Sequence, residues 1–323
     1  GAAPLTAPEL LQLFPLGVAV AFIFGLALGS FLNVCIYRLP QGRSVVHPRS
    51  ACPSCGAQIR AYDNIPVLSW LWLRGRCRDC RAAISSRYML VELSAALLFV
   101  FCFVRFGFTI DTLKYATLCF LLLGLILTDV DHRLLPDALT LPGLALGLVF
   151  SCFTSTEPFI SFLLPYRVWR IFPPTMAWRA ASLIDSVSGA LLGSLLIWGA
   201  GFLYFKLKGI EGMGLGDVKL MAMVGSYLGM PLTVFTIGTS ALLASIFGVT
   251  TMLVVWRKRI QRRRERGHES AKESRRRAWQ SAYLVYRNYE IPFGSFLGTM
   301  AIVAVFYGHR LLDLYMGLWM RRW

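Results

Sequence analysis

Charge is what this sequence has least of. Only 15% of its 323 residues are charged, and acids are scarcer than bases, 17 Asp plus Glu against 33 Lys plus Arg. With 56% hydrophobic residues and a mean hydropathy of +0.58, the composition excludes an ordinary soluble domain and is that of a membrane protein. No glycine-rich nucleotide-binding fingerprint is present: the G-x-G at Gly214 and Gly216 follows no strand, which excludes the usual dinucleotide reading. No internal repeat stands out, and no low-complexity tract lies outside one basic loop. No basic residue precedes the first apolar run, since residues 1–14 carry only Glu9 as a charged side chain. A cleaved secretory signal needs the opposite charge order, so the run reads as a retained span.

What is abundant is long apolar sequence. A bilayer core about 30 Å thick takes roughly 20 apolar helical residues to cross. Runs at 15–36, 89–106, 113–128, 138–153, 184–205, 232–256 and 291–308 qualify, and a shorter one at 218–230 precedes Pro231. The expectation is an all-α polytopic membrane protein with about eight transmembrane helices. Lys and Arg in short loops stay on the cytoplasmic side. With the N-terminus outside, eight spans put segments 37–88, 129–137, 206–219 and 257–290 inside, carrying 9, 1, 3 and 12 basic residues, 25 of the 33. That asymmetry favours both termini outside. The net charge of +16 and the basic loop 257–290 then read as topological anchoring and attraction to anionic membrane lipid, with no nucleic-acid partner.

The segment 37–88 is too small for a generous core and holds CPSC at 52–55 and CRDC at 77–80. Two C-x2-C pairs separated by 21 residues present four thiolates, Cys52, Cys55, Cys77 and Cys80, to one tetrahedral ion. Two disulfides are the alternative, but a cytoplasmic loop is kept reduced. A structural Zn2+ that staples the loop is the expectation. Four Cys ligands would close its coordination sphere to substrate. Cys35, Cys102, Cys119 and Cys152 lie in apolar runs and read as buried small hydrophobes. A second irregular stretch, 154–181, carries four prolines and should face outward. The domain division that follows is a first span at 1–36, the tetra-cysteine domain at 37–88 and a membrane-embedded part at 89–323.

Ionisable groups at the membrane are costly and therefore candidates for function. Asp129 closes the third span in ILTDVDHRLLPD, and Asp217 follows the next inward-running span in GMGLGDVKL. Both acids are thus expected on the cytoplasmic side. Two carboxylates brought together out of full solvent share one proton. One can then take a proton from water while the other donates to a carbonyl oxygen, which suits peptide hydrolysis. Asp131 reads as a solvated neighbour and Asp137 as a cap for the fourth span. Lys219 reads as a charge acting on Asp217 or as a snorkelling side chain. Glu92 reads as a hydrogen-bonding group inside the bundle, with the amino group of a methyl donor as the alternative partner. His132, one of four His, reads as an interfacial polar residue rather than a ligand.

Together G29-S-F-L-N-V-C-I-Y-R-L-P40, the four-cysteine loop with N64-I-P-V-L-S-W70, D129-V-D-H-R-L-L-P-D137, G214-L-G-D-V-K219 and I291-P-F-G294 resemble the bacterial type IV prepilin peptidases. The likeness spreads over most of the chain and is specific in combination; G-x-G-D alone also occurs in presenilin-like and signal-peptide peptidases. The resemblance implies an aspartic endopeptidase of the bacterial inner membrane, its active site facing the cytoplasm. Such an enzyme removes the basic leader of prepilins and secretion pseudopilins, with the catalytic pair falling on Asp129 and Asp217. It also implies, for many members, methylation of the new N-terminus with S-adenosyl-L-methionine, associated with the amino-terminal part. The chain departs from the family pattern at Met89 and Ser295, where Pro is usual, and in the length of 154–181 and 257–290. Two other classes compete. A proton- or cation-coupled transporter would place acids mid-span rather than at span ends. A non-catalytic scaffold of a pilus or secretion machine would need the zinc loop but not the Asp pair.

Overall fold

A computed structural model describes residues 7–154, 174–209, 214–265, 271–287 and 292–320. The helices are α1 (Ala7–Arg38), α2 (Leu68–Trp72), α3 (Arg87–Phe106), α4 (Ile110–His132), α5 (Asp137–Ser151), α6 (Pro174–Lys208), α7 (Leu215–Glu265), α8 (Ala271–Arg287) and α9 (Phe293–Met320). Among the described residues there is no strand, only isolated bridges in the cysteine segment. The all-α reading holds. The prolines expected to face outward at 158, 165 and 173 lie outside the described residues.

Among the described residues six helices are long and apolar enough to cross a membrane: α1, α3, α4, α6, α7 and α9. The chain is a multi-pass membrane protein. Length and composition alone single out these six and do not by themselves give the eight spans expected. The fourth expected span, α5, has 15 residues, and the expected spans 218–230 and 232–256 run within the single element α7.

That element is not straight. Gly229 takes φ 71° and ψ −179°, a conformation essentially restricted to glycine, directly before Met230-Pro231. In a straight helix Asp217 and Ser240 would lie roughly 35 Å apart. Instead both reach the first turn of α9: Asp217 at Gly294, and Ser240 through its Oγ, which donates to the Phe296 carbonyl at 3.2 Å. The two halves of α7 therefore fold back on each other at Gly229. On α6, a Cβ added at Gly193 would meet both the Met221 carbonyl and Thr233, one from each side of the turn.

Asp185 of α6 braces this reversal. Its carboxylate hydrogen-bonds the backbone amide of Met230, the first residue after the break, and abuts Gly229. This satisfies a donor that a restarting helix leaves without an intrahelical partner. Lys114 of α4, fully buried, lies within coulombic reach of Asp185 and donates to Thr154 Oγ1 at 3.3 Å.

Elsewhere the spans meet through small residues, as expected where lipid removes the usual hydrophobic drive between helices. A Cβ at Gly25 of α1 would lie 2.5 Å from Cα of Ala96, and one at Gly29 2.7 Å from Cα of Glu92. Gly25 and Gly29 form a G-x-x-x-G face on which α3 packs. The main core joins α4, α5, α7 and α9 through Leu118, Leu122, Leu125, Met223, Tyr227 and Leu297.

The segment expected as a basic loop, 257–290, is largely helical. α7 continues to Glu265, and α8 packs back on it through Trp256 and Trp279, whose rings meet edge-on at 5.9 Å. The many Arg residues are good helix formers, so a run read as loop from its charge propagates the helix instead.

Candidate functional site

Asp129 occupies the last turn of α4. The helix ends just after it because Arg133 takes a left-handed conformation, φ 53°, and returns its amide to the Asp129 carbonyl at 2.9 Å. Asp217 is the third residue of α7, in its first turn. The glycine before it serves close packing: Gly216 lies against Leu135, the residue that leads from α4 into α5.

The two acids converge on the first turn of α9. A Cβ on Gly294 would lie 3.1 Å from Asp129 Oδ2 and 3.1 Å from Asp217 Oδ1, so those oxygens are no farther apart than the two distances together. Leu135 Cδ1 closes the same point at 3.0 Å. Any side chain at 294 would push between the carboxylates. Asp129 is 5% exposed and Asp217 half-buried. Asp129 Oδ2 accepts the backbone N–H of Ser295 at 2.6 Å. Near the two acids in sequence, Val130, Leu134 and Leu215 are exposed apolar side chains.

Several neighbours differ from expectation. Asp131 is exposed, as expected, but is also held by Arg87 of α3, with Nη1 to Oδ1 at 2.8 Å. Asp137 makes no side-chain cap for α5; both its oxygens accept from Lys219 Nζ, at 2.7 and 2.8 Å. Lys219 is thereby committed to Asp137 rather than to Asp217. Each cation is nearer another acid than the converged pair, a matter of helix phase that sequence distance does not reveal. Leu135, Gly294 and Ser295 are site residues that the sequence reading did not assign. The I-P-F-G motif was the available signal, and it carries no side chain with chemistry of its own. His132 is exposed at the end of α4.

The cysteine segment forms two similar knuckles. The amide of Cys52 donates to the Ala57 carbonyl at 2.9 Å, and that of Cys77 to the Ala82 carbonyl at 2.8 Å. The residue after each second cysteine, Gly56 or Arg81, has positive φ. All four cysteines are free thiols, and their Sγ atoms lie within 4.8 Å of one another, Cys52 and Cys80 at 3.8 Å. Four sulfurs bound about 2.3 Å from one tetrahedral zinc stand about 3.8 Å apart, whereas a disulfide needs about 2.05 Å. The site therefore fits a metal ion held by all four thiolates. Amides of Cys55 and Ser54 hold the Cys52 thiol down to about 6, while lost solvation and the crowded neighbouring thiols push Cys80 up, as expected of four sulfurs brought together. Asp63 clamps Arg78 with both oxygens, tying the chain between the knuckles to the second one, and this hydrogen bonding holds its carboxyl below the usual range. Cys35, Cys102 and Cys119 are buried as expected; Cys152 is half-buried.

Glu92 joins this module to the membrane bundle. Its Oε2 accepts the Val67 N–H at 2.7 Å, and Ser30 of α1 supplies a second hydrogen bond. Asn33 of α1 donates to the Tyr88 carbonyl at 3.0 Å. Both Glu92 bonds are internal, in line with the structural reading of this acid.

Comparison with known proteins places this arrangement. The profile of the Type IV leader peptidase family matches residues 115–249, and that of the bacterial peptidase A24 N-terminal domain matches residues 23–106. A prepilin leader peptidase/N-methyltransferase of Aeromonas salmonicida (strain A449) is 33% identical across 92% of this chain and 93% of its own. The chain belongs to the type IV leader peptidase family. Family proteins of the same description from Pseudomonas aeruginosa and Stutzerimonas stutzeri are 34% and 38% identical, over 93% and 77% of this chain and 93% and 86% of theirs. No solved structure matches. The two profiles fall on the two sites of this leader peptidase family member: one spans the cysteine module with α3, the other both acids.

Proposed function

We propose that this chain is a bifunctional enzyme of the bacterial inner membrane. It cleaves the basic leader from type IV prepilins or type II secretion pseudopilins and N-methylates the new N-terminus. Asp129 and Asp217 are the catalytic pair, facing the cytoplasm. The observation that carries this is the convergence of Asp129 Oδ2 and Asp217 Oδ1 on Gly294, from helix ends 88 residues apart in sequence. Two carboxylates so close, with Asp129 nearly removed from solvent, hold one proton between them. The ionised acid takes a proton from the attacking water, and the protonated one donates to the scissile carbonyl oxygen, the division of labour of an aspartic protease. The exposed apolar side chains of Val130, Leu134 and Leu215, next to the acids in sequence, suit a substrate whose apolar helix lies in the membrane while its leader stays in water.

Zinc, held by Cys52, Cys55, Cys77 and Cys80, supplies folding energy rather than chemistry, because four protein ligands leave no open position. S-adenosyl-L-methionine, when bound, supplies the methyl group. Glu92 has the structural role in this reading, its hydrogen bonds going to Val67 and Ser30. The three-part division at 36 and 88 follows the same reading, with the zinc module inserted between α1 and α3.

Asp129→Asn and Asp217→Asn should each abolish leader removal from a prepilin in reconstituted vesicles, by about a thousandfold or more, while the protein still inserts. Full cleavage by either variant would sink the assignment. The mass of the product N-terminus, after incubation with an isotope-labelled methyl donor, reads methylation in the same experiment.

A further inference from the structure

The two acids are close, but their surroundings are not alike. Asp129 Oδ2, the oxygen that faces Asp217 across Gly294, accepts a hydrogen bond from the Ser295 backbone N–H at 2.6 Å. Among the described residues no group donates to the Asp217 carboxylate. Ser295 is the third residue of α9, so its amide is one of the first-turn donors that a helix leaves without an internal partner, at the positive end of the helix dipole. Its side chain is occupied elsewhere, donating to the Pro292 carbonyl at 2.7 Å.

We infer that the Ser295 amide makes the pair unequal: it holds Asp129 as the carboxylate that receives the water proton and leaves the shared proton on Asp217. This inference rests on the catalytic reading above. An amide hydrogen bond fits an oxygen that carries no proton, and it strengthens as that oxygen becomes charged. Ser295 is thus a positioning residue that acts through its main chain.

Of the other charges near the pair, Arg133, just past the end of Asp129's helix, bears on Asp129 in the same sense as the amide, so the Ser295 N–H adds to its effect. From α3, Arg87 is engaged by Asp131. From α7, Lys219 is engaged by Asp137 of α5. Neither α1 nor α9 brings a charged side chain to bear on Asp129.

Ser295→Pro removes the N–H at a position where no intrahelical bond depends on it, and a first-turn proline is tolerated. Ser295→Ala keeps the N–H and removes only the hydroxyl. The measurement is the pH profile of kcat for prepilin cleavage by the full chain in vesicles. In S295P the acid limb should move to higher pH, with the rate one pH unit below the optimum falling about tenfold more than in the parent, the scale of one charge-assisted hydrogen bond. KM should be unchanged. In S295A the acid limb should stay in place. The shape of a profile does not depend on how much protein folds, so lower yield does not obscure the result. An S295P profile that overlays the parent, or an S295A shift of equal size, overturns the inference. Cleavage by Asp129→Asn or Asp217→Asn would instead overturn the catalytic reading beneath it.

Discussion

At the scale of single residues, the acids of this chain sort by what they face. Asp131, Asp137 and Asp63 each have a cation, Asp129 has an amide and another acid, and Asp185 has a helix terminus. Asp185 has the largest structural consequence. Among the described residues one of its oxygens is buried without a partner, and its removal would leave the Met230 amide unpaired and take from the buried Lys114 one of two acids, the other being Asp111. Asp185→Ala should therefore destabilise the protein by about 1–3 kcal/mol, the usual consequence of leaving a buried donor unpaired. Asp185→Asn, which retains an acceptor, should lose less. Thermal unfolding in detergent, followed by near-ultraviolet circular dichroism, measures the difference.

At the scale of elements, the four-cysteine module and the reversal in α7 are separate constructions. The module has little core of its own, so metal removal should unfold it locally. Purified protein should hold one zinc per chain, Cys77→Ser should lose it, and limited proteolysis should then cut within 43–84 while the membrane helices stay intact. An absence of zinc in the parent would refute the ligand assignment. Acid should loosen the module as well. The Asp63 carboxyl is held below its ordinary value, so its contribution is complete above about pH 4 and is lost as the pH falls further. For the reversal, Gly229→Ala puts a Cβ against Asp185 Oδ2 at a φ that L-residues rarely adopt. Low folded yield is expected, and a yield and Tm equal to the parent would contradict the geometry. None of this was legible from the run 218–230, where Gly229-Met230-Pro231 offered a break but not its partner.

At the scale of the whole molecule, function depends on which side of the membrane receives the loops. The basic asymmetry favours a cytoplasmic cysteine module and cytoplasmic acids. After zinc is chelated, a membrane-impermeant thiol reagent should label Cys52, Cys55, Cys77 and Cys80 in inside-out vesicles but not in intact cells. The opposite pattern would invert the topology. The chain could reveal its membrane class, its two candidate acids and its four-cysteine cluster because each is written locally, in apolar runs, rare charges and short spacings. It could not reveal that Leu135, Gly294 and Ser295 complete the site, since their parts are played by an apolar contact, a missing Cβ and a main-chain N–H, none of which marks a sequence.

The number of crossings shows the same division. Hydropathy identified the apolar segments correctly as segments, but length and composition alone single out six of the described helices, and whether α7 passes once or turns back was decided by one glycine torsion and the carboxylate braced against it. By itself the sequence determined a multi-pass helical protein with candidate residues Asp129, Asp217 and four cysteines. Only the tertiary structure decided that the two acids share one point at Gly294 and that one of them holds an amide. Partners 88 and 166 residues apart meet through helix phase and packing, and those are properties of the assembled bundle.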